Sequence, residues 1–227
     1  MTNIKAVVFD LDGTLLDHEG ASLSGVSALL TALGVDEVPV AQVMADWHRL
    51  EEIHWVAYRA GITTFEEQRR LRLRDFLPVV GRSLPDDDLD ATFAAYLSGY
   101  ESGWVAFDDA APVIHRARAT GLGLAVLTNG LQEQQEAKLR AVGLLDVCGT
   151  VLASSSLPAG KPDPGAYAAA CAAVHEAPES VLMVGDNYEL DVLAARGAGL
   201  QAVHLDRAGT HCVPDSDRVR TLADLAL

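Results

Sequence analysis

Residues 6–16 have the sequence AVVFDLDGTLL, in which an apolar run of four residues ends at Asp10 and a second aspartate, Asp12, follows. Continuous apolarity predicts a strand covered on both faces, as in a parallel sheet. Two carboxyl groups this close together need a cation or a shared proton between them. One can attack a substrate while the other exchanges protons. An Asx turn that closes the strand is the alternative, but the Gly13-Thr14-Leu15 that follows favours the chemical interpretation.

Short apolar runs recur along the chain and alternate with helical patterns. The other runs are residues 122–127, 151–153, 181–184 and 202–205. The helical patterns are residues 110–120, 132–142, 164–175 and 190–198. This alternation predicts an α/β fold with a doubly wound, mostly parallel, Rossmann-like sheet. Ligands bind at the carboxyl ends of the strands in such sheets, so the polar residues that follow each run are the candidate site.

The alternation is interrupted after the first strand. Residues 18–103 show one helical pattern after another, at residues 22–33, 40–60, 65–79 and 87–102, with glycines and prolines between them. This block is too long for a crossover connection. We therefore predict an α/β core formed by residues 1–17 and 104–227, and an inserted helical domain formed by residues 18–103.

Two polar segments follow later strands. Thr128-Asn129-Gly130 offers a hydroxyl and backbone N–H groups to an anion, which makes these three residues candidates for substrate binding, although the same tripeptide is common in ordinary loops. Lys161, which precedes Pro162, could neutralise phosphate charge. A solvated surface lysine is the alternative interpretation of Lys161.

An acidic segment follows the run at residues 181–184. Asp186 ends this run, and Asp191 falls near the first turn of the next predicted helix. Mg²⁺ prefers a few oxygen ligands and keeps several waters. Asp10, the backbone carbonyl of Asp12 and Asp186 would supply such a site. Asp191 could instead serve the helix dipole, and whether it or Glu189 touches a metal stays open.

Composition narrows the classes of partner. The 227 residues carry a formal net charge of −15, which argues against nucleic acid and anionic membranes as partners but not against a small phosphorylated substrate. The three cysteines have neither metal-ligand nor redox spacing, which favours reduced thiols in a cytoplasmic protein. No signal peptide or transmembrane run is visible. We expect a monomer or homodimer.

The strand-end motifs, taken together and in this order, resemble those of the haloacid dehalogenase superfamily, in its phosphatase branch. The matching segments are residues 9–15 (FDLDGTL), Thr128-Asn129, Lys161-Pro162 and residues 185–191 (GDNYELD). The helical insert resembles the α-helical type-1 cap of subfamily I. The resemblance implies a Mg²⁺-dependent phosphatase that acts on a small phosphorylated metabolite, such as a sugar phosphate or a nucleoside monophosphate.

The resemblance also implies roles for individual residues. Asp10 would attack phosphorus, while Asp12 would protonate the leaving alcohol and then activate water. Thr128 and Lys161 would hold the transferring phosphoryl group. The metal would be bound by Asp10, the Asp12 carbonyl and Asp186, and Asp191 would act through water or by orienting Lys161.

Three rival functions remain, two within the superfamily and one of a different class. Dehalogenases of the superfamily also use the first aspartate but lack the second, so Asp12 favours a phosphatase. A phosphomutase shares every motif. A phosphorylatable receiver-like or silent binding module is the third rival, but a receiver normally carries its aspartate on a middle strand and needs no cap.

Within the insert, Arg70 and Arg74 share a predicted helix face. They could grip a substrate carboxylate or phosphate, or pair with Glu66 or Glu67 on a solvated face. The helical spacing of Trp47, His54 and Tyr58 favours core packing.

Overall fold

The computed structural model describes residues 4–35, 37–210 and 218–227. Within these residues one six-stranded sheet forms, with the order β3-β2-β1-β4-β5-β6, and every neighbouring pair is parallel. Its strands are β1 (Ala6–Phe9), β2 (Gly123–Thr128), β3 (Thr150–Ala153), β4 (Val181–Gly185), β5 (Gln201–Leu205) and β6 (Arg218–Val219). The predicted α/β class with a parallel, Rossmann-like sheet is confirmed.

Both faces of the sheet are covered, which explains the uninterrupted apolar runs. On one face Ala6, Val8 and Met183 pack in a common cluster with Tyr167 and neighbouring small residues of a helix. Side chains alternate along a strand, so Val7 and its neighbour Phe9 lie on the opposite face, and both are fully buried. A strand buried in this way has no polar side chain until it ends, and β1 ends at Asp10.

The helices of the α/β unit are α5 (Ala110–Ala119), α6 (Gln132–Ala141), α7 (Pro164–Ala173) and α8 (Ala194–Gly197). Helix α7 begins as predicted, because Asp163 Oδ1 accepts a hydrogen bond from Gly165 N at 2.8 Å and Pro164 occupies the first turn.

The prediction of an α-helix at residues 190–198 was wrong for the first half of this segment. Tyr188–Leu193 forms a π-helical turn, and regular α-helix begins only at Ala194. Asp191 lies in this wider turn, and its two carboxylate oxygens accept hydrogen bonds from Lys161 and from the Asn187 amide. Such π turns often occur at functional sites.

Residues between β1 and α5 form the second set of helices: α1 (His18–Ala32), α2 (Val40–Arg59), α3 (Phe65–Phe76) and α4 (Leu89–Ser102). Trp47 is fully buried among Phe76, Phe93 and Tyr96, so the prediction of core packing is confirmed for this residue. His54 is also buried, whereas Tyr58 is only half-buried. Helix α3 is shorter than the predicted 65–79 because Pro78 lacks an N–H; Leu77–Val80 continues as a 3₁₀ turn.

The arginines of α3 have partners that the sequence pattern did not predict. Arg70 forms a bidentate ion pair with Asp90 at 2.6 and 2.7 Å, and Arg74 pairs with Asp86 at 2.8 Å. The expected pairing with the acidic residues one turn earlier in α3 was wrong, because α4 and the turn before it supply better-placed carboxylates. Arg72, which lies between them, is the buried arginine and pairs with Glu51.

The chain divides into two compact units, Met1–Asp17 with Val105–Leu227, and His18–Trp104. No described helix combines the length and the apolarity that are needed to cross a lipid bilayer. Cys148 and Cys171 are free and buried, whereas Cys212 lies outside the described residues.

Candidate active site

The first feature of the site is a buried lysine held between two carboxylates. Lys161 Nζ donates to Asp10 Oδ1 and to Asp191 Oδ1, at 2.6 Å in each case. All three side chains are nearly inaccessible to water. Lys161 comes from the loop before α7, Asp10 from the end of β1 and Asp191 from the π turn. The strands β1 and β4 are neighbours, so the parallel sheet brings these distant segments to one edge.

The second feature is a group of three carboxylates. Oxygen atoms of Asp10, Asp186 and Asp191 all lie within 4.8 Å of one another. Two glycines permit this approach: a Cβ on Gly13, which has φ +83°, would overlap the Asp186 carboxylate, and a Cβ on Gly185 would overlap that of Asp191. The glycine that follows the first aspartate pair is therefore required by space as well as by backbone conformation.

The electrostatics of the site follow from its burial. Loss of water raises the pKa of Asp10 to about 8; Lys161 opposes this shift, and Asp191 and Asp186 add to it. Burial and the Asp191 charge likewise raise the pKa of Asp186 to about 6. Burial lowers the pKa of Lys161, but the carboxylates of Asp10 and Asp191 outweigh that effect and raise it overall. A cation close to these carboxylates would favour their ionised forms.

The third feature is the environment of Asp12, whose side chain is 25% exposed. Lys138 Nζ lies 2.8 Å from Asp12 Oδ1 and 2.6 Å from Oδ2, so one ammonium contacts both carboxylate oxygens. Gln135, one helical turn before Lys138 on α6, places its Nε2 3.5 Å from Asp12 Oδ2 and donates to the Asn129 carbonyl at 3.0 Å. Helix α6 therefore contributes two buried polar side chains to the site.

The Thr128-Asn129-Gly130 segment lies at the same edge of the sheet, with Thr128 buried at the end of β2. The Asn129 side chain donates to the Lys161 carbonyl at 2.9 Å and so supports the loop that carries this lysine. The Gly130 amide donates to Ser154 Oγ at 2.9 Å. In this structure, therefore, the Gly130 N–H that the sequence suggested for binding an anion is hydrogen-bonded to Ser154. The Asn129 side chain is hydrogen-bonded to the Lys161 backbone.

The chain matches a family model of haloacid dehalogenase-like hydrolases over residues 4–199. The chain belongs to this family. The match spans both compact units and includes all four strand-end motifs. The resemblance predicted from the sequence is therefore confirmed.

Relatives of this hydrolase include phosphatases. This chain is 33% identical over 196 residues to a phosphoglycolate phosphatase of Nitrosospira multiformis, across 86% of this chain and 80% of the relative. It is 44% identical over 101 residues to a phosphoserine phosphatase of Thermus thermophilus, a match that spans 44% of this chain and only 41% of that relative. This hydrolase is an enzyme of the phosphatase branch.

A solved structure has the same fold. The HAD-type hydrolase YfnB of Bacillus subtilis, crystallised with magnesium, superposes with a TM-score of 0.82 over 98% of this chain and 96% of its own. The two sequences are 21% identical, so this likeness concerns the fold.

Sequence reasoning about this hydrolase missed Lys138 and Gln135. Both lie on α6 among exposed charged residues such as Glu133 and Arg140, a pattern typical of a solvated helix face. It also missed the hydroxyl of Thr14, which accepts from Asp186 N at 3.1 Å and faces Asp186 Oδ1 at 3.4 Å. The spacing of Gln135 and Lys138 on one helix face was the only available signal.

A second missed contact supports the loop after β1. Arg207 donates to the Thr14 carbonyl at 2.9 Å and forms a bidentate pair with Asp109 at 2.8 and 2.9 Å. These contacts join the segment after β5 to the turn that carries the aspartate pair.

The raised pKa of Asp10 predicts how stability changes with pH when metal is absent. Between the usual value of 3.8 and about 8, the folded protein retains a proton on Asp10 that the unfolded chain has released. The free energy of unfolding therefore falls as pH rises through this range. In EDTA, thermal unfolding followed by circular dichroism should show a larger loss of stability from about pH 5 to about pH 8 for the wild type than for Asp10→Asn, which lacks this titration. Parallel curves for the two proteins would contradict the assignment.

Proposed function

We propose that this protein is a Mg²⁺-dependent phosphomonoester hydrolase that acts on a small phosphorylated metabolite through an aspartyl-phosphate at Asp10. The observation that carries the proposal is the buried carboxylate of Asp10 at the end of β1, 2.6 Å from the ammonium of Lys161. An ionised carboxylate in this position is a nucleophile that needs no general base to activate it. The adjacent cation offsets its repulsion from an anionic substrate.

The donor set suits a magnesium ion. Asp10, Asp186 and Asp191 present carboxylate oxygens within 4.8 Å of one another, and oxygen is the ligand type that Mg²⁺ prefers. The charges of the site also fit, because when ionised its four carboxylates exceed its two ammonium groups by two negative charges. These charged side chains are Asp10, Asp12, Asp186, Asp191, Lys138 and Lys161.

We assign the metal to Asp10, the Asp12 carbonyl and Asp186, and an orienting role to Asp191. Both oxygens of Asp191 already accept hydrogen bonds, from Lys161 and from the Asn187 amide. Glu189 is exposed and falls outside the carboxylate group found among the described residues. When bound, the ion supplies positive charge that stabilises the transferring phosphoryl group.

In the first half-reaction, an Asp10 carboxylate oxygen forms a bond to phosphorus while the bond from phosphorus to the alcohol oxygen breaks. Asp12 gives its proton to that leaving oxygen. Lys161 and the hydroxyl of Thr128 hold the oxygens of the phosphoryl group as charge spreads over them. The products are an alcohol and phosphorylated Asp10.

In the second half-reaction, Asp12 accepts a proton from water as the water oxygen bonds to phosphorus. The bond from phosphorus to Asp10 breaks, which restores the carboxylate and releases inorganic phosphate. Asp12 regains its proton in this step and is ready for another cycle. These two half-reactions need Asp12, and the presence of this aspartate favours hydrolysis at phosphorus over the dehalogenase chemistry of the superfamily.

Phosphate release from a panel of compounds tests the proposal. The panel contains sugar phosphates and nucleoside monophosphates, with phosphoglycolate and phosphoserine added because relatives are named for them. Each compound is assayed with Mg²⁺ and with EDTA. We expect Mg²⁺-dependent release of phosphate from at least one compound. Transfer of phosphate within a bisphosphorylated or isomeric sugar without net release would instead indicate a mutase.

The Asp186→Asn substitution should weaken Mg²⁺ binding. Asparagine keeps the shape of the side chain and an acceptor for Thr14 but removes the charged metal ligand. We expect the Mg²⁺ concentration for half-maximal activity to rise by about 10- to 100-fold. Glu189→Gln is the matched control, since it removes an exposed carboxylate nearby and should leave that concentration unchanged. Equal shifts for both variants would assign the effect to general charge rather than to ligation.

We also propose a reducing, cytoplasmic location, which is supported by the buried free thiols of Cys148 and Cys171.

A further inference from the structure

We propose that Lys138 is a positioning residue that holds the carboxylate of Asp12 in place for proton transfer. This inference rests on the proposed function, in which Asp12 exchanges protons with the leaving group and with water. It concerns a residue on a helix that carries none of the four strand-end motifs. The evidence is a direct contact that joins α6 to the turn after β1.

The contact is specific in its geometry. The ammonium of Lys138 lies 2.8 and 2.6 Å from the two oxygens of Asp12, so it restrains by both atoms the ionised carboxylate, which is the form that accepts a proton from water. The Lys138 side chain is only 3% exposed, whereas that of Asp12 is 25% exposed. The carboxylate is therefore held from the protein side and remains accessible from the solvent side.

The lysine is itself held by its surroundings. It lies on α6 beside Leu139, which is fully buried, and one turn after Gln135, which is also buried. Gln135 donates to the carbonyl of Asn129, whose side chain in turn donates to the Lys161 carbonyl. A rigid helix thus connects the acid/base residue to the loop that carries the phosphate-binding lysine. Catalytic groups held in this way lose little freedom on reaching the transition state.

The charge of Lys138 has a second effect. Asp12 adds to the repulsion that the Asp186 carboxylate experiences. The buried ammonium of Lys138, 2.6 Å from Asp12, offsets part of the negative charge from which this repulsion arises. An exposed lysine would be screened by water, but a buried one is not.

The test uses two substrates that differ in their need for a proton. An alkyl phosphate requires protonation of its leaving oxygen, whereas p-nitrophenol leaves readily as an anion. For Lys138→Met we expect kcat/KM on the alkyl phosphate to fall by about 10- to 100-fold, because loss of positioning removes only part of the roughly 10²–10⁴-fold that general acid catalysis contributes. The fall on p-nitrophenyl phosphate should be smaller by about fivefold or more, because its leaving group needs no proton. The affinity for either substrate should stay within about twofold, because the lysine contacts Asp12 rather than substrate.

Three further variants separate positioning from folding. Lys138→Arg keeps the charge and should recover part of the lost activity. Arg140→Met removes an exposed charge from the same helix and should behave as the wild type. In a double-mutant cycle, Lys138→Met should add little to the loss caused by Asp12→Asn, because the lysine acts through that aspartate.

Equal losses on the two substrates, or additive effects in the cycle, would overturn the inference while leaving the proposed function standing. Such a result would mean that Lys138 only maintains the amount of folded enzyme. If the wild-type protein releases phosphate from neither substrate nor from any member of the metabolite panel, the proposed function fails and the inference fails with it.

Discussion

The Asp10→Asn variant is expected to lose turnover by on the order of 10⁶-fold while it keeps the native fold. The amide is close in size to the carboxylate and can still contact Lys161, but it is a very poor nucleophile towards phosphorus. Asp191 cannot take its place, because both of its carboxylate oxygens already accept hydrogen bonds, from Lys161 and from the Asn187 amide. The covalent route is therefore closed rather than slowed.

The measurement combines turnover with a direct assay for the phosphoenzyme. Acid-quenched wild-type protein should carry phosphate on Asp10, detected by peptide mass spectrometry, and Asp10→Asn should carry none. Asp163→Asn is the matched control, because asparagine also caps helices and this side chain only caps α7. Activity of Asp10→Asn within about tenfold of the wild type would reject nucleophilic catalysis by this residue.

The Lys161→Met variant should suffer in both stability and activity. Methionine retains most of the side-chain volume but leaves the carboxylate of Asp191, and that of Asp10 when it is ionised, without the cation that lies 2.6 Å from each. Removing one partner from a buried ion pair costs about 3–5 kcal/mol. Because Lys161 is only 3% exposed, water does not replace the lost interaction. Loss of a preorganised charge at the phosphoryl group should also lower kcat by about 10³-fold.

The choice of probe matters for the stability measurement. Trp47, Trp55 and Trp104 all lie in the unit His18–Trp104, so tryptophan fluorescence would report on that unit and not on the one that carries Lys161. Hydrogen exchange of the β1 and β4 amides, or circular dichroism during chemical unfolding, reports on the relevant sheet. Hydrogen exchange of the amides in these two strands should be faster in Lys161→Met than in the wild type.

Lys5→Met is the control for the loss of a lysine. Its side chain is 52% exposed and pairs with Glu176 at 3.4 Å, so its removal should cost less than about 1 kcal/mol. A Lys161→Met protein as stable as the Lys5→Met protein would show that Lys161 is not a buried partner of two carboxylates. Normal turnover in Lys161→Met would remove it from the phosphoryl-transfer site.

Predictions from the sequence succeeded where structure depends on local pattern. The run ahead of Asp10 is β1 with the predicted limits, since a strand buried on both faces must be apolar throughout. Asp163 and Pro164 similarly marked the first turn of α7. The errors also have local causes, as at Pro78, where a missing N–H ends α3. The two-residue strand β6 was missed because it is too short to show any pattern.

The site shows a similar division between local and distant effects. The four strand-end motifs could be recognised because each joins an apolar run to a polar turn, and parallel strands end at one edge. The partners of these residues could not be recognised in this way. Lys138 and Asp12 are separated by 126 positions, and Lys161 and Asp10 by 151. Only packing of α6 and of the loop before α7 against the sheet determines which side chains meet there.

The amino-acid pattern alone was thus sufficient to indicate the fold class and the order of the motifs, because these depend on periodicity and on short-range spacing. The role of Asp10 as the candidate nucleophile came from the resemblance of these motifs to those of the family. Tertiary structure decided which charges are paired. It placed Lys161 between Asp10 and Asp191 and brought Lys138 to Asp12. It also placed the Gly130 amide against Ser154. Pairing depends on burial and on contacts between segments far apart in the chain, and no local pattern encodes either of them.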